Sequence, residues 1–321
     1  MAILIGTDEA GYGPNLGPLV IGASAWEVPD ELRDDDLYDR LESCICRSAS
    51  KDADRIAIAD SKQLYKPHGT LAGLEAGVHS VLANLQRNAF TWREAFALLD
   101  ATPELADAMQ ASPWYGGYDE PLPLDLTQES LNALTDRLSS GLTECATSIA
   151  RLRATVVFPS EFNRRVRQLG SKGALLTERT LELVREVLAH CPPGDAMVYC
   201  DKHGGRNRYA AALQHAFPES WVEILHEGRA SSEYRLTVDG RGVCIRFAVG
   251  GESQLPSALA SMTAKYLREL AMRAFNAFWQ QEVPNLRPTA GYPTDAKRFK
   301  TDIAAAQARL RIDDDTLWRC K

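Results

Sequence analysis

Near its start the chain reads Ile3-Leu4-Ile5-Gly6-Thr7-Asp8-Glu9-Ala10-Gly11-Tyr12-Gly13-Pro14-Asn15-Leu16-Gly17-Pro18-Leu19-Val20-Ile21. Two short apolar runs flank a pair of carboxylates and a glycine-rich turn, a pattern that predicts two buried strands. Asp8 and Glu9 therefore end the first strand. Because side chains alternate between the two faces of a strand, both can lie over the same face only if the chain bends at the turn.

Carboxylates at the end of a buried strand need a partner, and a divalent cation is a suitable one. The alternative is that Asp8 only caps the turn, as aspartate before glycine often does. Asp8 and Glu9 taken alone leave both interpretations open. Motifs further along the chain favour the first.

Five different short motifs follow one another along the chain. They are Asp8-Glu9-Ala10-Gly11-Tyr12-Gly13-Pro14, Asp60-Ser61-Lys62-Gln63-Leu64, Val198-Tyr199-Cys200-Asp201, Gly251-Glu252-Ser253 with Ala260-Ser261-Met262-Thr263-Ala264-Lys265-Tyr266-Leu267-Arg268-Glu269, and Gly291-Tyr292-Pro293-Thr294. Together they span residues 8–294 and resemble the motifs of the ribonuclease HII family. The resemblance implies a ribonuclease H-like α/β fold, with a mixed sheet flanked by helices.

The resemblance also implies an activity and a metal site. The activity is hydrolysis of the RNA strand of RNA–DNA hybrids, or cleavage at ribonucleotides embedded in duplex DNA. Catalytic metal ligands are implied at Asp8, Glu9, Asp201 and Glu252, around two Mg²⁺ or Mn²⁺ ions. Two such ions, roughly 4 Å apart, activate a water and stabilise the leaving oxygen. The family has aspartate where Glu252 stands.

Each later ligand has a simpler alternative interpretation. Asp201 can pair with Lys202 or Arg206 at the end of its strand, and Glu252 can lie on a surface turn. Glu269 competes with Glu252 as a ligand, and we assign it, with Lys265, to a supporting layer behind the ligands or to a pair with Arg268.

By the same resemblance, six residues contact the nucleic acid. They are Gly11, Tyr12, Gly13, Ser61, Lys62 and Tyr292. Tyr12 stands where the family has arginine or lysine, and a phenol cannot neutralise a phosphate. Two other functions therefore stay open: a ribonuclease H-fold nuclease acting on another nucleic acid, and a catalytically silent nucleic-acid-binding relative.

The charge of the chain does not itself indicate a nucleic-acid partner. The 321 residues carry a formal net charge of -7, whereas nucleic-acid-binding domains usually present a basic stripe. Basic residues do cluster locally, in Arg164, Arg165, Arg167 and Lys172, in Lys202, Arg206 and Arg208, and in Lys297, Arg298 and Lys300. Each cluster can neutralise phosphates or form a solvated helix face, and for the first cluster we favour the solvated face.

The seven cysteines show no Cys-x-x-Cys pair and no histidines at zinc spacing, which is typical of reduced thiols in a cytoplasmic protein. The apolar start is too short for a signal peptide, and no apolar run has the length of a membrane span. We therefore expect a cytoplasmic protein with no membrane segment. The sequence does not indicate an oligomeric state.

Hydrophobic periodicity predicts the remaining elements. We expect strands at 2–8, 17–27, 154–158 and 196–200, a hairpin over 233–249, and helices at 32–43, 71–85, 130–152, 178–190 and 257–280. His203, beside a glycine turn, is interpreted as a surface histidine rather than a group for proton transfer.

Proline, glycine and aromatic residues predict a family-atypical insertion at about 88–125. Its aromatics, Trp92, Trp114, Tyr115 and Tyr118, either anchor it to the core, which we favour, or stack on bases. A catalytic domain over 1–280 and a helical C-terminal segment over 281–321, carrying Gly291 to Thr294, complete the expected organisation.

Overall fold

The computed structural model describes residues 1–48, 55–66, 69–100 and 102–320, and only the backbone of Glu252. The strands are β1 (Ala2–Ala10), β2 (Leu19–Val28), β3 (Ile45–Cys46), β4 (Ile56–Ala57), β5 (Ser148–Val157), β6 (Ala196–Asp201), β7 (Glu223–Glu227), β8 (Ser231–Val238) and β9 (Arg241–Ala248). The α-helices are α1 (Leu37–Arg40), α2 (Ser61–Leu64), α3 (Ala72–Asn84), α4 (Trp92–Leu99), α5 (Leu105–Gln110), α6 (Pro113–Gly116), α7 (Gln128–Glu144), α8 (Pro159–Leu169), α9 (Lys172–His190), α10 (Ala210–Ala216), α11 (Leu255–Glu282), α12 (Pro293–Leu310) and α13 (Asp314–Leu317).

A mixed sheet forms the centre of the molecule, with the strand order β5-β2-β1-β6-β9-β8-β7. The strands β1, β6 and β9 run parallel to one another, while β2 and β5 on one side and β8 and β7 on the other are antiparallel to their neighbours. This sheet with helices on both faces confirms the predicted α/β fold class. Parallel strands at the centre bring the carboxyl ends of β1 and β6 to the same edge.

The two faces of the sheet bury different helices. Leu4 and Val20 pack in one apolar cluster with α11, whereas Ile3 and Ile21 pack in a second cluster with α9. This division follows from the alternation of side chains along each strand. Among the described residues, no helix is both long and apolar enough to cross a bilayer.

Two glycines set how closely α11 approaches the sheet. A Cβ at Gly6 would lie 2.0 Å from the backbone nitrogen of Ser257, and one at Gly22 would lie 2.2 Å from the carbonyl oxygen of Ala260. Only glycine permits this contact between backbones. The start of α11 is therefore held directly against β1 and β2, a few residues from Asp8 and Glu9.

The insertion contains α4, α5 and α6, and its aromatics are anchored in the core. The Trp92 indole donates a hydrogen bond of 2.9 Å to the carbonyl oxygen of Leu270. The ring of Trp114, which is 3% exposed, lies 5.0 Å from that of Phe275. The anchoring interpretation is correct for these residues, and base stacking on the buried Trp114 is excluded because its faces are covered by the protein.

Two helix predictions need correction. The helix predicted over 130–152 ends at Glu144, and β5 already begins at Ser148, earlier than the predicted strand at 154–158. The helix ends because Ala146 takes a left-handed conformation with φ 48°, which no glycine announces in the sequence. The helix predicted over 32–43 is reduced to a 3₁₀ turn at Asp30–Leu32 and the four residues of α1.

The hairpin and the C-terminal segment also follow the sequence closely. The strands β8 and β9 form the predicted hairpin, and β7, which the sequence did not predict, pairs with β8 at the edge of the sheet. The C-terminal segment is helical, as predicted, and its Phe299 and Ile303 belong to the same apolar cluster as α11. The domain boundary at residues 280 and 281 stays a prediction.

Candidate functional site

Three of the predicted ligands lie at one edge of the sheet. The parallel pairing of β1 and β6 runs to Thr7 opposite Cys200, so Asp8 and Asp201 are the next residues on adjacent strands. Glu9 follows, with its backbone N–H donating to Oδ1 of Asp8 at 2.8 Å. Asp8, Glu9 and Asp201 are all half-buried. The fold therefore brings together side chains that are almost two hundred residues apart in the sequence.

The backbone of Glu252 approaches the same edge. Gly251–Ser253 forms a 3₁₀ turn between β9 and α11, entered through Gly250 in a left-handed conformation. The backbone nitrogen of Gly251 lies 3.5 Å from Oδ1 of Asp201. The Glu252 side chain lies outside what the structure describes, and its role as a ligand stays a prediction.

The electrostatics of this edge favour a cation. Burial, together with the Asp8 and Asp201 carboxylates, raises the pKa of the Glu9 carboxyl to about 8, and Lys62 opposes the rise. Like charges within reach of each other produce such a shift, and a bound dication would relieve it. The donor set consists of carboxylate oxygens, the ligands that Mg²⁺ and Mn²⁺ prefer.

The side chains are not yet in a ligating arrangement. Among the described residues, no group of three or more histidine, cysteine, aspartate or glutamate side chains is placed to hold a metal ion. The donor chemistry of the site therefore fits a divalent metal, while metal coordination itself requires side-chain rotation or the carboxylate of Glu252.

The simple pairing of Asp201 with Lys202 is not what the structure shows. The Lys202 ammonium instead donates to Oδ1 of Asn207 at 2.8 Å. His203 is buried, not on the surface, and its Nδ1 lies 3.0 Å from the Thr177 hydroxyl. Burial and the nearby Arg206 lower the pKa of His203 to about 3, so the ring is neutral at physiological pH and does not serve as a proton donor there.

Ser61 and Lys62 form the first turn of α2 and point to different environments. Asp60 caps this turn by accepting a hydrogen bond of 3.0 Å from the backbone N–H of Lys62. The buried Ser61 hydroxyl accepts a hydrogen bond of 3.2 Å from the Ser261 hydroxyl on α11. The Lys62 side chain is 85% exposed. Lys62 is thus accessible to a ligand, while Ser61 fixes α2 against α11.

Glu269 lies on α11 within a compact polar cluster. Its carboxylate accepts hydrogen bonds from Lys265 at 2.6 Å and from the Tyr65 hydroxyl at 3.0 Å, and it lies 3.4 Å from Arg268. The Lys265 ammonium also lies 4.8 Å from the centre of the Tyr65 ring. The Glu269 carboxylate is therefore already neutralised by residues of the protein.

The Gly291-Tyr292 motif is attached to the turn that follows β1. The carbonyl oxygen of Gly291 accepts a hydrogen bond of 2.8 Å from the backbone N–H of Asn15, and Arg268 donates to the carbonyl oxygen of Ala290 at 2.8 Å. Tyr292 is 54% exposed. Buried Arg268 thus ties α11 to this motif, a role that its position in the α11 motif did not reveal.

A groove of about 700 Å³ begins at these residues. Lys62, Lys265, Glu269 and Tyr292 line it, as does Tyr118 from the insertion. Tyr118 is one of the insertion aromatics for which base stacking was the alternative to anchoring, and it lies where the motif resemblance has faded. The insertion therefore shapes the surface next to the predicted site rather than a remote part of the protein.

Gly11, Tyr12 and Gly13 form the turn on the other side of Glu9. Gly11 has φ 91°, and a Cβ there would lie 2.6 Å from the carbonyl oxygen of Pro18. The ring of Tyr12 is half-buried, and the ammonium of Lys172 lies 4.6 Å from its centre. Gly13 has open space where a side chain would be. Lys172 was not among the predicted site residues.

The chain is similar in fold to several solved structures. Over 99% of its length it matches ribonuclease HII of Archaeoglobus fulgidus, determined in a complex with PCNA, covering 94% of that chain at 14% identity and a TM-score of 0.44. It matches ribonuclease H2 of Pyrococcus horikoshii over 98% of its length, covering 92% of that chain at 15% identity and a TM-score of 0.43. It matches ribonuclease H3 of Aquifex aeolicus over 98% of its length, covering 71% of that chain at 13% identity and a TM-score of 0.40.

No protein-family model matches the chain, and no curated protein sequence is similar to it.

Proposed function

We propose that this protein is a metal-dependent endoribonuclease that hydrolyses the RNA strand of RNA–DNA hybrids or cleaves at ribonucleotides embedded in duplex DNA. The observation that carries the proposal is the convergence of Asp8, Glu9 and Asp201 at the carboxyl ends of β1 and β6. Burial and the neighbouring carboxylates hold a proton on Glu9 near neutral pH, and a cation or a cationic ligand bound at this edge would favour its ionised form instead.

Asp8, Glu9, Asp201 and Glu252 would hold Mg²⁺ or Mn²⁺. Bound in a pair, such ions activate a water for in-line attack on a phosphodiester and stabilise the leaving oxygen. The residues of the chain have separate tasks: the carboxylates fix the reacting centre at the sheet edge, exposed Lys62 contacts a backbone phosphate, and Tyr292 packs against a sugar.

The surroundings of the site support a nucleic-acid substrate. The groove that starts at Lys62 and Tyr292 continues along α11 past Arg273, whose side chain is 55% exposed and pairs with Glu120 at 2.9 Å. Each of the seven cysteines is a free thiol, which fits a reducing compartment such as the cytoplasm.

A cleavage panel tests this function. The substrates are an RNA–DNA hybrid, a DNA duplex with one embedded ribonucleotide, and an all-DNA duplex, each incubated with Mg²⁺ and with Mn²⁺. We expect cleavage of one or both of the first two and, for Asp8→Asn, a loss of activity of at least a hundredfold with an unchanged melting temperature. Asp136→Asn, the same change on the exposed face of α7, is the matched control and keeps full activity.

Three results would redirect the proposal. Cleavage by Asp8→Asn at the wild-type rate would show that the site is wrong. Calorimetric titration without any Mg²⁺ or Mn²⁺ binding would favour a catalytically silent nucleic-acid-binding protein. That alternative has a specific observation behind it, because the described carboxylates do not form a ready metal site. Cleavage of all-DNA or structured RNA alone would point to another nuclease activity.

A further inference from the structure

The Tyr12 hydroxyl lies against two glycines. A Cβ at Gly204 would lie 2.9 Å from the hydroxyl oxygen, too close for an unstrained contact, and one at Gly173 would lie 3.5 Å from it, in ordinary contact. Gly204 belongs to the loop that follows Asp201, and Gly173 belongs to the first turn of α9. The phenol therefore lies between two segments that are distant in sequence, and its position three residues after Glu9 keeps it beside the carboxylates.

A cation lies over this phenol ring. The Lys172 ammonium lies 4.6 Å from the centre of the Tyr12 ring, a distance at which the ring attracts a cation. Lys172 is half-buried.

The charge of Lys172 is not neutralised within the protein. Lys265 and Lys300 are also placed over aromatic rings, but each has a carboxylate oxygen at 2.6 Å, from Glu269 and Asp314 respectively. For Lys172, no carboxylate of the described residues lies within 4.0 Å of the ammonium. A held but uncompensated cation next to a cleft is suited to an anionic ligand.

The cleft beside this cation is of phosphate size or larger. It encloses about 280 Å³ and is lined by residues that include Tyr12, Gly13, Lys172 and Pro293. A Cβ at Gly13, which lines the cleft, would meet no atom within 4 Å. A phosphodiester placed there would meet Lys172 and Tyr12, an ammonium-bearing and a hydroxyl-bearing residue of the kinds that contact nucleic-acid backbones.

We infer that Tyr12 and Lys172 form a binding site for a backbone phosphate of the nucleic-acid strand, separate from the metal site and adjacent to it. Lys172 provides the positive charge that Tyr12 does not, and the ring of Tyr12 holds Lys172 in place. The inference rests on the proposed function, since it assigns the second phosphate contact of the same substrate.

Binding without catalysis tests this site. Fluorescence anisotropy of a labelled RNA–DNA hybrid is measured in EDTA from about 50 to about 200 mM sodium chloride. We expect Lys172→Ala to raise Kd roughly three- to tenfold at the lowest salt and to reduce the slope of log Kd against log salt by about one. Lys172→Arg restores both values, because the charge returns.

The controls separate a binding role from a structural one. Alanine is tolerated in the first turn of α9, so Lys172→Ala should keep the wild-type melting temperature. Lys300→Ala removes a lysine that also lies over an aromatic ring, 5.1 Å from Trp318, but is paired with Asp314; it should leave the salt slope unchanged.

The possible failures are distinguishable. If wild type binds the hybrid and Lys172→Ala binds with the same Kd and slope, this inference is overturned while the proposed function stands. If wild type binds neither the hybrid nor an all-DNA duplex, the proposed function fails and the phosphate site falls with it.

Discussion

Two lysine–tyrosine contacts border the carboxylates, one on the α11 side and one on the α9 side, and they differ in what surrounds the charge. On the α11 side, Lys265 over Tyr65 is paired with Glu269, whose second oxygen accepts the Tyr65 hydroxyl hydrogen. On the α9 side, Lys172 over Tyr12 has no such carboxylate among the described residues. The same pair of residue types thus forms two kinds of cluster. In the closed cluster the lysine is paired with a carboxylate of the protein, and in the open cluster it has no such carboxylate among the described residues.

The difference teaches how to separate stabilising polar groups from binding groups. A charge whose partner is inside the protein contributes to folding, and removing the partner leaves a buried charge uncompensated. A charge that is held in position without a partner contributes little to folding and is available to a ligand. Variants on the α11 side should therefore change stability, and variants on the α9 side should change binding.

The largest expected effect concerns buried His79, which Tyr266 of α11 contacts at 2.8 Å. Burial lowers the pKa of His79 to about 4, below its ordinary value of 6.5. The unfolded chain therefore takes up a proton before the folded one does, and stability present above pH 6.5 is lost as the pH falls towards 4. The loss amounts to roughly 3 kcal/mol.

Urea unfolding at several pH values between 7 and 4 measures this loss of stability, with His79→Gln as the control. Glutamine can hydrogen-bond the Tyr266 hydroxyl without titrating, so the variant should lose less stability than wild type over this interval. If the free energy of unfolding falls equally with pH in wild type and His79→Gln, His79 does not titrate as expected. The α11 side would then not depend on an uncharged His79 for its stability.

The second largest expected effect is the loss of stability when Glu269 is replaced. Glu269→Gln leaves Arg268, whose side chain is 2% exposed, and Lys265 without their counter-charge. We expect the free energy of unfolding to fall by about 2 kcal/mol in urea at pH 7. Glu282→Gln makes the same change at the end of α11 in a pair with Arg309, which is 60% exposed, and should cost at most about 0.5 kcal/mol. Equal losses would remove the distinction between closed and exposed pairs.

The smallest expected effect is the change in stability when Lys172, which lies over Tyr12 in the open pair, is removed. Lys172→Ala should change the free energy of unfolding by about 0.5 kcal/mol or less, because only an attraction to the Tyr12 ring is lost. Lys265→Ala, its counterpart on α11, should cost more, since Glu269 loses its 2.6 Å partner. Urea unfolding of both variants decides, and equal costs would contradict the comparison.

Much of the sheet was predictable because its pattern is local. The apolar runs around Asp8 and Glu9 predicted β1 and β2, and the run ending at Cys200 predicted β6. The end of α7 was not predictable from its pattern, because apolar spacing continues past Glu144 while Ala146 reverses the chain with no glycine or proline to mark it. The exposed edge strand β7 has no clear alternation and was missed.

The candidate site was predictable only where the motifs carry it. Asp8, Glu9 and Asp201 were placed by strand ends and motif order, and they do lie at one edge of the sheet. Lys172 was missed because the sequence groups it with Arg165 and Arg167. Those two pair with Glu178 and Asp315, whereas the start of α9 directs Lys172 to Tyr12. Contacts between residues this far apart depend on the fold and are not visible in spacing.

The contact of Arg319 with the glycine-rich turn has a consequence for the order of synthesis. The Arg319 side chain donates to the carbonyl oxygen of Pro14, and its backbone N–H donates to that of Asn15 at 2.9 Å. The carbonyl oxygen of Arg319 also lies 3.4 Å from the Asn15 amide, 304 positions away in the chain. A ribosome makes Asn15 304 residues before Arg319, so a nascent chain carries the charged edge beside this turn long before the contacts that fix the turn are available.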